Sequence, residues 1–305
     1  MRRSARALVT LAMAAAVALT GCGDGADGSG DAGPEVTPTT GTATPSATAT
    51  DPAQPTPSAT ASPSEQPSPG QTPPGQTPSQ QPRPVPSTPG AELPARLLGQ
   101  DWERIPTTRK VVALTFDGGS SADGLDSILD TLDRENVPAT FFLTGQFVER
   151  FPAAARSIAD RGYRIGSHSV SHPYFTQLSD ADLRAEIVGA QEAITRVTGA
   201  DPRPWFRFPY GDRNARTISA VNALGYVPIR WTVDTLGWKG TSGGQSAATV
   251  TDRVLAAATN GEIVLMHVGA HPQDRSTLDA DALGGIIQQL RARGYEFVTI
   301  DAMLD

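Results

Sequence analysis

Val111-Val112-Ala113-Leu114-Thr115-Phe116-Asp117 is a run of apolar and β-branched residues closed by an acid. Its length and composition read as a strand, and Leu125, Ile128, Leu129 and Leu132 then fall on one face of a helix. The same change of period recurs down the chain. Residues 140–143, 163–166, 206–208, 227–233, 262–267 and 295–300 read as further strands, separated by helical patterns such as Leu183, Ile187, Ala190 and Ile194. Ser179 with Asp182 resembles a capping box ahead of that second helix, and Gly162, Gly199, Gly225, Gly261 and Gly294 stand where helices should stop. Strands alternating with helices in this way imply an α/β fold on a parallel sheet. An irregular barrel of seven or eight β/α units fits the count, and an open doubly wound sheet is the alternative.

The sequence before this pattern is of another kind. All aromatic residues of the 305-residue chain lie at or after Trp102, and 17 of its 26 Pro lie between Pro34 and Pro94. A stretch of Pro, Thr, Ser, Ala, Gly and Gln has too little apolar surface to offset its chain entropy, so it reads as an extended spacer. At a polyproline rise of ~3.1 Å per residue it would reach at most roughly 220 Å. One folded domain behind a tail is therefore a better count than two domains.

Ahead of the spacer, Arg2, Arg3 and Arg6 precede an apolar run, residues 7–19, broken by Thr10. That is the charged and apolar part of a secretory signal, too short to span a bilayer comfortably. Leu19-Thr20-Gly21-Cys22 then resembles the lipobox of bacterial lipoproteins, which implies cleavage before Cys22 and a lipid on its thiol. The expected organisation is a signal peptide over 1–21, a lipid-anchored spacer over 22–95 and one folded domain over 96–305. The expected location is the outer face of the cytoplasmic membrane. Cys22 is the chain's one cysteine, which excludes a disulfide partner, and the net charge of −7 argues against nucleic acid.

The polar residues gather where the strands should end. The four His form two pairs of the same spacing, His168 with His172 and His267 with His271. Asp117, Arg207 and Asp234 with Trp238 stand at comparable places, and in parallel β/α folds that edge is where several loops build one site. Two imidazoles suit Zn²⁺ or a similar divalent ion, although a catalytic site normally takes a third protein ligand. A carboxylate can act as base, an Arg beside it can keep it ionised, and a second imidazole held by a second carboxylate can act as acid. The set reads as metal-assisted hydrolysis.

These residues resemble the polysaccharide deacetylases, carbohydrate esterase family four, from about Lys110 to Leu304, with five motifs in the family's order. The resemblance implies the barrel form of the fold and removal of N-acetyl groups from a GlcNAc- or MurNAc-containing glycan, with peptidoglycan as the nearest such polymer. It makes Asp117 the catalytic base, and His168 and His172 of His168-Ser169-Val170-Ser171-His172 the ligands of a divalent metal, Zn²⁺ or Co²⁺. Arg207 orients the base and Tyr210 offers a backbone N–H to the oxyanion. Asp234 tunes the acid, Trp238 walls the pocket, Leu265 faces the acetyl methyl and His267 is the general acid.

Two positions depart from the family's pattern. Gly118 stands where a second Asp usually supplies the third metal ligand, and Gly237 where the fourth motif usually has another Asp. Asp123, on the same loop as Gly118, is a candidate replacement ligand and equally a helix N-cap. His271 reads as a loop residue ahead of a cleft residue, and Tyr174 and Phe175 divide between stacking on a sugar and anchoring a loop. The alternatives to a peptidoglycan deacetylase are a non-catalytic glycan-binding protein on the same fold, a deacetylase of chitin oligomers or O-acetylated xylan, and an amidase of small cyclic amides.

Overall fold

A computed structural model of the protein describes residues 93–305. The leader, Cys22 and almost all of the spacer lie outside the described residues. The folded part reaches back slightly further than composition implied: Leu93 packs against a buried cluster that includes Leu97, so the last residues assigned to the spacer belong to the domain.

Among the described residues, eight strands, all paired in parallel, are interspersed with seven α-helices. They are β1 (Val111–Gly118), α1 (Leu125–Glu135), β2 (Ala139–Leu143), α2 (Gly145–Arg150), α3 (Pro152–Asp160), β3 (Arg164–Ser167), α4 (Asp180–Thr198) and β4 (Trp205–Phe206). There follow α5 (Ala215–Ala223), β5 (Val227–Pro228), β6 (Val233–Asp234), α6 (Ala247–Ala257), β7 (Glu262–His267), α7 (Leu278–Ala292) and β8 (Glu296–Phe297). The sheet runs β5-β4-β3-β2-β1-β7-β6, with β8 also on β1. The single strand expected over 227–233 is two short ones, because the chain leaves β4 after Pro228 and rejoins the sheet beside β7 at Val233.

The strands curl into an irregular barrel whose edges, β5 and β6, do not pair with each other. The segment just ahead of β1 lies at that gap. Trp102 bridges Ile229 after β5, and Arg104 bridges Glu262 at the start of β7. This approach is close enough that a Cβ on Gly261 would collide with the carbonyl of Ile105, so glycine is required there.

The largest buried cluster lies where α1, α3, α6 and α7 cover the central strands, including Phe116, Leu129, Phe141, Ile158, Val254 and Ile287. All eight residues of β1 are buried, as befits the central strand of a sheet covered on both faces. Helix starts follow the expected chemistry at α4, where the Ser179 hydroxyl accepts from the Asp182 N–H, and α4 stops at Gly199 with φ of 73°.

Candidate active site

Parallel register places the chemistry. Asp117 closes the pairing of β1 with β7, opposite His267 at the end of β7, and Thr115 lies opposite Leu265 two residues earlier. Side chains two apart on a strand share a face, so Thr115, Asp117, Leu265 and His267 point the same way. Asp234 at the end of β6 is in register with Leu265. His168 follows directly on β3, and Arg207 directly on β4.

Arg207 is fully buried and almost fully used. It donates to Asp117 Oδ1 at 2.7 Å, to Thr115 Oγ1 at 2.8 Å, and to the carbonyls of Arg230 and Ile229 at 3.0 and 3.2 Å, while its guanidinium lies 4.1 Å from the Phe142 ring centre. Burial would lift the Asp117 carboxyl. The charges of Arg207, then of His168 and His267, outweigh that and hold it below the usual carboxylate range.

His168 donates from Nδ1 to the Arg207 carbonyl at 2.8 Å, which turns Nε2 toward Asp117 Oδ2 at 3.4 Å. The His172 ring centre is 4.7 Å from that of His168. Both imidazoles are held below the usual histidine pKa by burial, His172 down to about 4 with the charge of His168 adding to the effect. The loop between them is pinned by Glu186 of α4, which accepts from the N–H groups of Val170 and Ser171 and from the Ser171 hydroxyl. Glu186 was not legible as a site residue, because an acid on an exposed helix face ordinarily faces solvent.

Ser169, His172, Tyr210 and Leu236 all have φ between 57° and 69°, a region that L residues seldom occupy. Each lies in one of the site's loops. Backbone strain concentrated in this way belongs to functional sites that the surrounding structure holds in place.

The open side is a cleft of about 1050 Å³ lined by Asp117, His168, His172, Tyr210, Trp238 and His267, among others. Leu265 and Asp234 line it too, and so does His271, which sequence had favoured as a loop residue only. His271 serves the loop as well, with Nδ1 3.3 Å from the Asp274 N–H. Tyr174 and Phe175 separate: Phe175 is buried, whereas the exposed Tyr174 stacks on Tyr210 at 4.3 Å between ring centres.

One expectation needs correction. Asp123 does not join the histidines; its carboxylate is ion-paired with Arg275 at 3.0 Å, and it is not among the residues that line the cleft, although Gly119 and Ser120 of its loop are. Asp234 hydrogen-bonds to the Leu236 N–H and the Trp238 indole, so it shapes its own loop and positions the pocket wall, and its charge favours the His267 imidazolium less than those of Asp279 and Asp117 do. The carboxylate nearest to the His267 ring is Asp279, with Oδ2 3.5 Å from Nδ1. Burial disfavours the His267 imidazolium, but Asp279, then Asp117 and Asp234, raise its pKa above the usual value.

The metal that the resemblance implies needs a third ligand. Among the described residues no three His, Cys, Asp or Glu side chains come together as a metal set. A Cβ on Gly118 would lie 2.8 Å from Leu143 Cδ2 and 3.5 Å from the Phe147 ring, so apolar side chains fill the ground beside that position. The residues present offer two neutral imidazoles and do not fit the family's three-ligand site.

The sequence pattern of polysaccharide deacetylases matches residues 104–229. A Bacillus cereus peptidoglycan-N-acetylglucosamine deacetylase is 36% identical over 200 residues, covering 65% of this chain and 70% of that protein. The chain belongs to the polysaccharide deacetylase family. Listeria monocytogenes PgdA, a peptidoglycan-N-acetylglucosamine deacetylase, is 39% identical over 196 residues, which are 64% of this deacetylase-family chain but only 39% of that longer protein. Among solved structures, the Bc1960 peptidoglycan N-acetylglucosamine deacetylase superposes with a TM-score of 0.61 at 35% identity, covering 66% of this chain and 91% of the other. The Bacillus anthracis protein BA3943, described as a pseudoenzyme of the same carbohydrate esterase family, has the same TM-score at 30% identity, covering 67% and 68%. The barrel expected for a polysaccharide deacetylase is the fold observed.

Proposed function

We propose that the protein is a hydrolase that removes N-acetyl groups from a GlcNAc- or MurNAc-containing cell-wall glycan, peptidoglycan first among them, and releases acetate. The observation that carries the reading is the pairing of Asp117 with His267 in one cleft, their pKa values displaced in opposite directions. A carboxylate whose ionised form is favoured beside an imidazole whose protonated form is favoured is a base and acid pair. The Bacillus cereus and Listeria relatives, named as peptidoglycan deacetylases, support the choice of polymer.

In the reaction, a water oxygen bonds to the acetamide carbonyl carbon as Asp117 takes one of its protons. Arg207 keeps Asp117 ionised and aimed, and the Tyr210 N–H stabilises the oxyanion. The C–N bond then breaks, and its electron pair leaves with the nitrogen, which takes a proton from His267. The products are the free amine and acetate. Leu265 faces the acetyl methyl, and Trp238 closes one wall of the pocket. Members of the family generally depend on a divalent ion, and this chain offers Zn²⁺ or Co²⁺ His168 and His172 without a third side-chain ligand among the described residues. Tethering through a lipid on Cys22, on the outer face of the membrane behind the spacer, would bring the domain to the wall.

Gly118 favours one rival, a glycan-binding protein that keeps the fold without catalysis. Acetate release from peptidoglycan and from N-acetylglucosamine oligomers, with and without added Zn²⁺, decides between them. Release that Asp117→Asn abolishes supports the hydrolase; saturable binding with no acetate under any condition sinks it.

A further inference from the structure

Asp279 is the second residue of α7, where an acid is ordinarily explained by the helix dipole. Asp281, two residues on, fits that account and is exposed. Asp279 does not, because it is 3% exposed and all of its contacts lead to the active-site loops. Oδ1 accepts from the hydroxyl of the fully buried Thr235 at 2.7 Å. Oδ2 accepts from the His267 backbone N–H at 2.8 Å and stands 3.5 Å from His267 Nδ1. That nitrogen is itself buried and has no other partner among the described residues.

Gly237 accounts for the space. A Cβ at that position would fall on Oδ1 of Asp279 and lie 2.7 Å from its Cγ. The carboxylate of α7 therefore occupies the volume into which a side chain at position 237 would project. A residue with any Cβ at 237 and this placement of Asp279 exclude one another.

We propose that Asp279 is the positioning residue for the general acid His267, supplying from α7 the carboxylate that position 237 lacks. The inference rests on the reading of His267 as acid. With Nδ1–H directed at Asp279, the other ring nitrogen is left to the cleft, where it carries the proton delivered to the departing amine. A buried carboxylate behind an imidazole fixes its tautomer and favours its charged form. The charged and titratable groups around the imidazole come from four elements: Asp279 on α7, Asp117 on β1, Asp234 on β6, and His168 and His172 on the loop after β3. Asp279 is the one that contacts the ring.

The test combines imidazole titration by NMR with the pH dependence of acetate release, in wild type, Asp279→Asn, Asp234→Asn and the double variant Asp279→Ala/Gly237→Asp. Asp279→Asn should keep the fold, lower the His267 pKa by about one unit or more, and reduce kcat by tenfold or more, with the alkaline limb of the profile moving to lower pH. Asp234→Asn should move the His267 pKa less. The double variant should recover part of both losses, which a merely structural Asp279 would not allow. An unchanged His267 titration in folded Asp279→Asn, or a larger shift in Asp234→Asn, would overturn the proposal. NMR reads the contact without turnover, so wild type that releases no acetate while His267 still responds to Asp279→Asn would sink the hydrolase reading and the role of His267 as acid, leaving the contact established.

Discussion

Asp117 and His267 are register partners on adjacent parallel strands, β1 and β7. Neighbouring strands run ~4.8 Å apart and partners in register project to one side of the sheet, so backbone pairing alone brings the proposed base and acid together. The rest of the site tunes them. Because the carboxyl is held below its usual range and the imidazole above, the acidic limb of kcat/KM for acetate release should lie below the ordinary carboxylate range. The limb at which the acid is lost should lie above the ordinary histidine value of 6.5. An alkaline limb below 6.5 would remove His267 from the role.

Arg207 is the residue on which this arrangement most depends, since its removal leaves Asp117 as a buried charge without its closest partner. Arg207→Ala should cost on the order of 3–5 kcal/mol of stability and abolish acetate release. Arg207→Lys keeps the charge but loses the fork that serves Asp117 and Thr115 at once, and should recover stability better than activity. Thermal denaturation beside acetate assays measures both, and a stable, active Arg207→Ala enzyme would contradict the role assigned to it.

The fold and much of the site were legible because strand and helix periods alternate cleanly and the reactive residues close the strands. Asp117, His168, Arg207, Asp234 and His267 all emerge at that edge. Asp123 is suggested by proximity in sequence to Gly118, whereas a carboxylate goes where a strong donor is, and Arg275 claims it from elsewhere in the chain. Asp279 and Glu186 act across the fold from helices, and nothing in a helix's own pattern tells which of its acids turns inward. The division of 227–233 into two strands is hidden because β-branched and aromatic residues continue through the run, past Pro228 and Arg230, while the chain changes neighbours within it.

Glu262 begins β7 at the end of the barrel opposite the cleft, and burial lifts its pKa to about 7 against the opposing charges of Arg293 and Arg104. A carboxyl raised in the folded state favours folding below its unfolded pKa, and that advantage is lost as pH rises from about 4.5 to about 7. Glu262→Gln should therefore unfold with less loss of stability between pH 5 and pH 8 than wild type. The difference at pH 8 should be on the order of 2–3 kcal/mol in denaturant titrations. Parallel pH dependences for the two proteins would show that Glu262 ionises at its ordinary value.

Tyr174 and Tyr210 present a stacked, exposed pair at the rim of the cleft, with the exposed Trp238 also lining it. Exposed aromatic faces suit the apolar face of a sugar ring, so Tyr174→Ala should raise KM for a glycan oligomer several-fold while leaving kcat nearly unchanged. Steady-state kinetics on oligomers of increasing length would check this. A fall in kcat with KM constant would instead place Tyr174 in support of the Tyr210 backbone.

Gly118 sets what the chain can do with a metal. Two neutral imidazoles supply two donors, so Zn²⁺ should bind wild type weakly, and His172→Ala should remove that binding. Gly118→Asp adds a carboxylate next to Asp117 in the chain, but its Cβ would press on Leu143 Cδ2 at 2.8 Å. That contact is with the end of a flexible side chain, which can yield by a rotamer change, and a Gly118→Asp/Leu143→Val variant relieves it further. Calorimetric titration should show Zn²⁺ affinity at least tenfold higher in Gly118→Asp than in wild type, about 1.4 kcal/mol, and higher again when Leu143 is shortened. Equal affinities in all three proteins would mean that the two histidines already bind the ion with ligands other than a side chain at 118, and that the glycine is no defect.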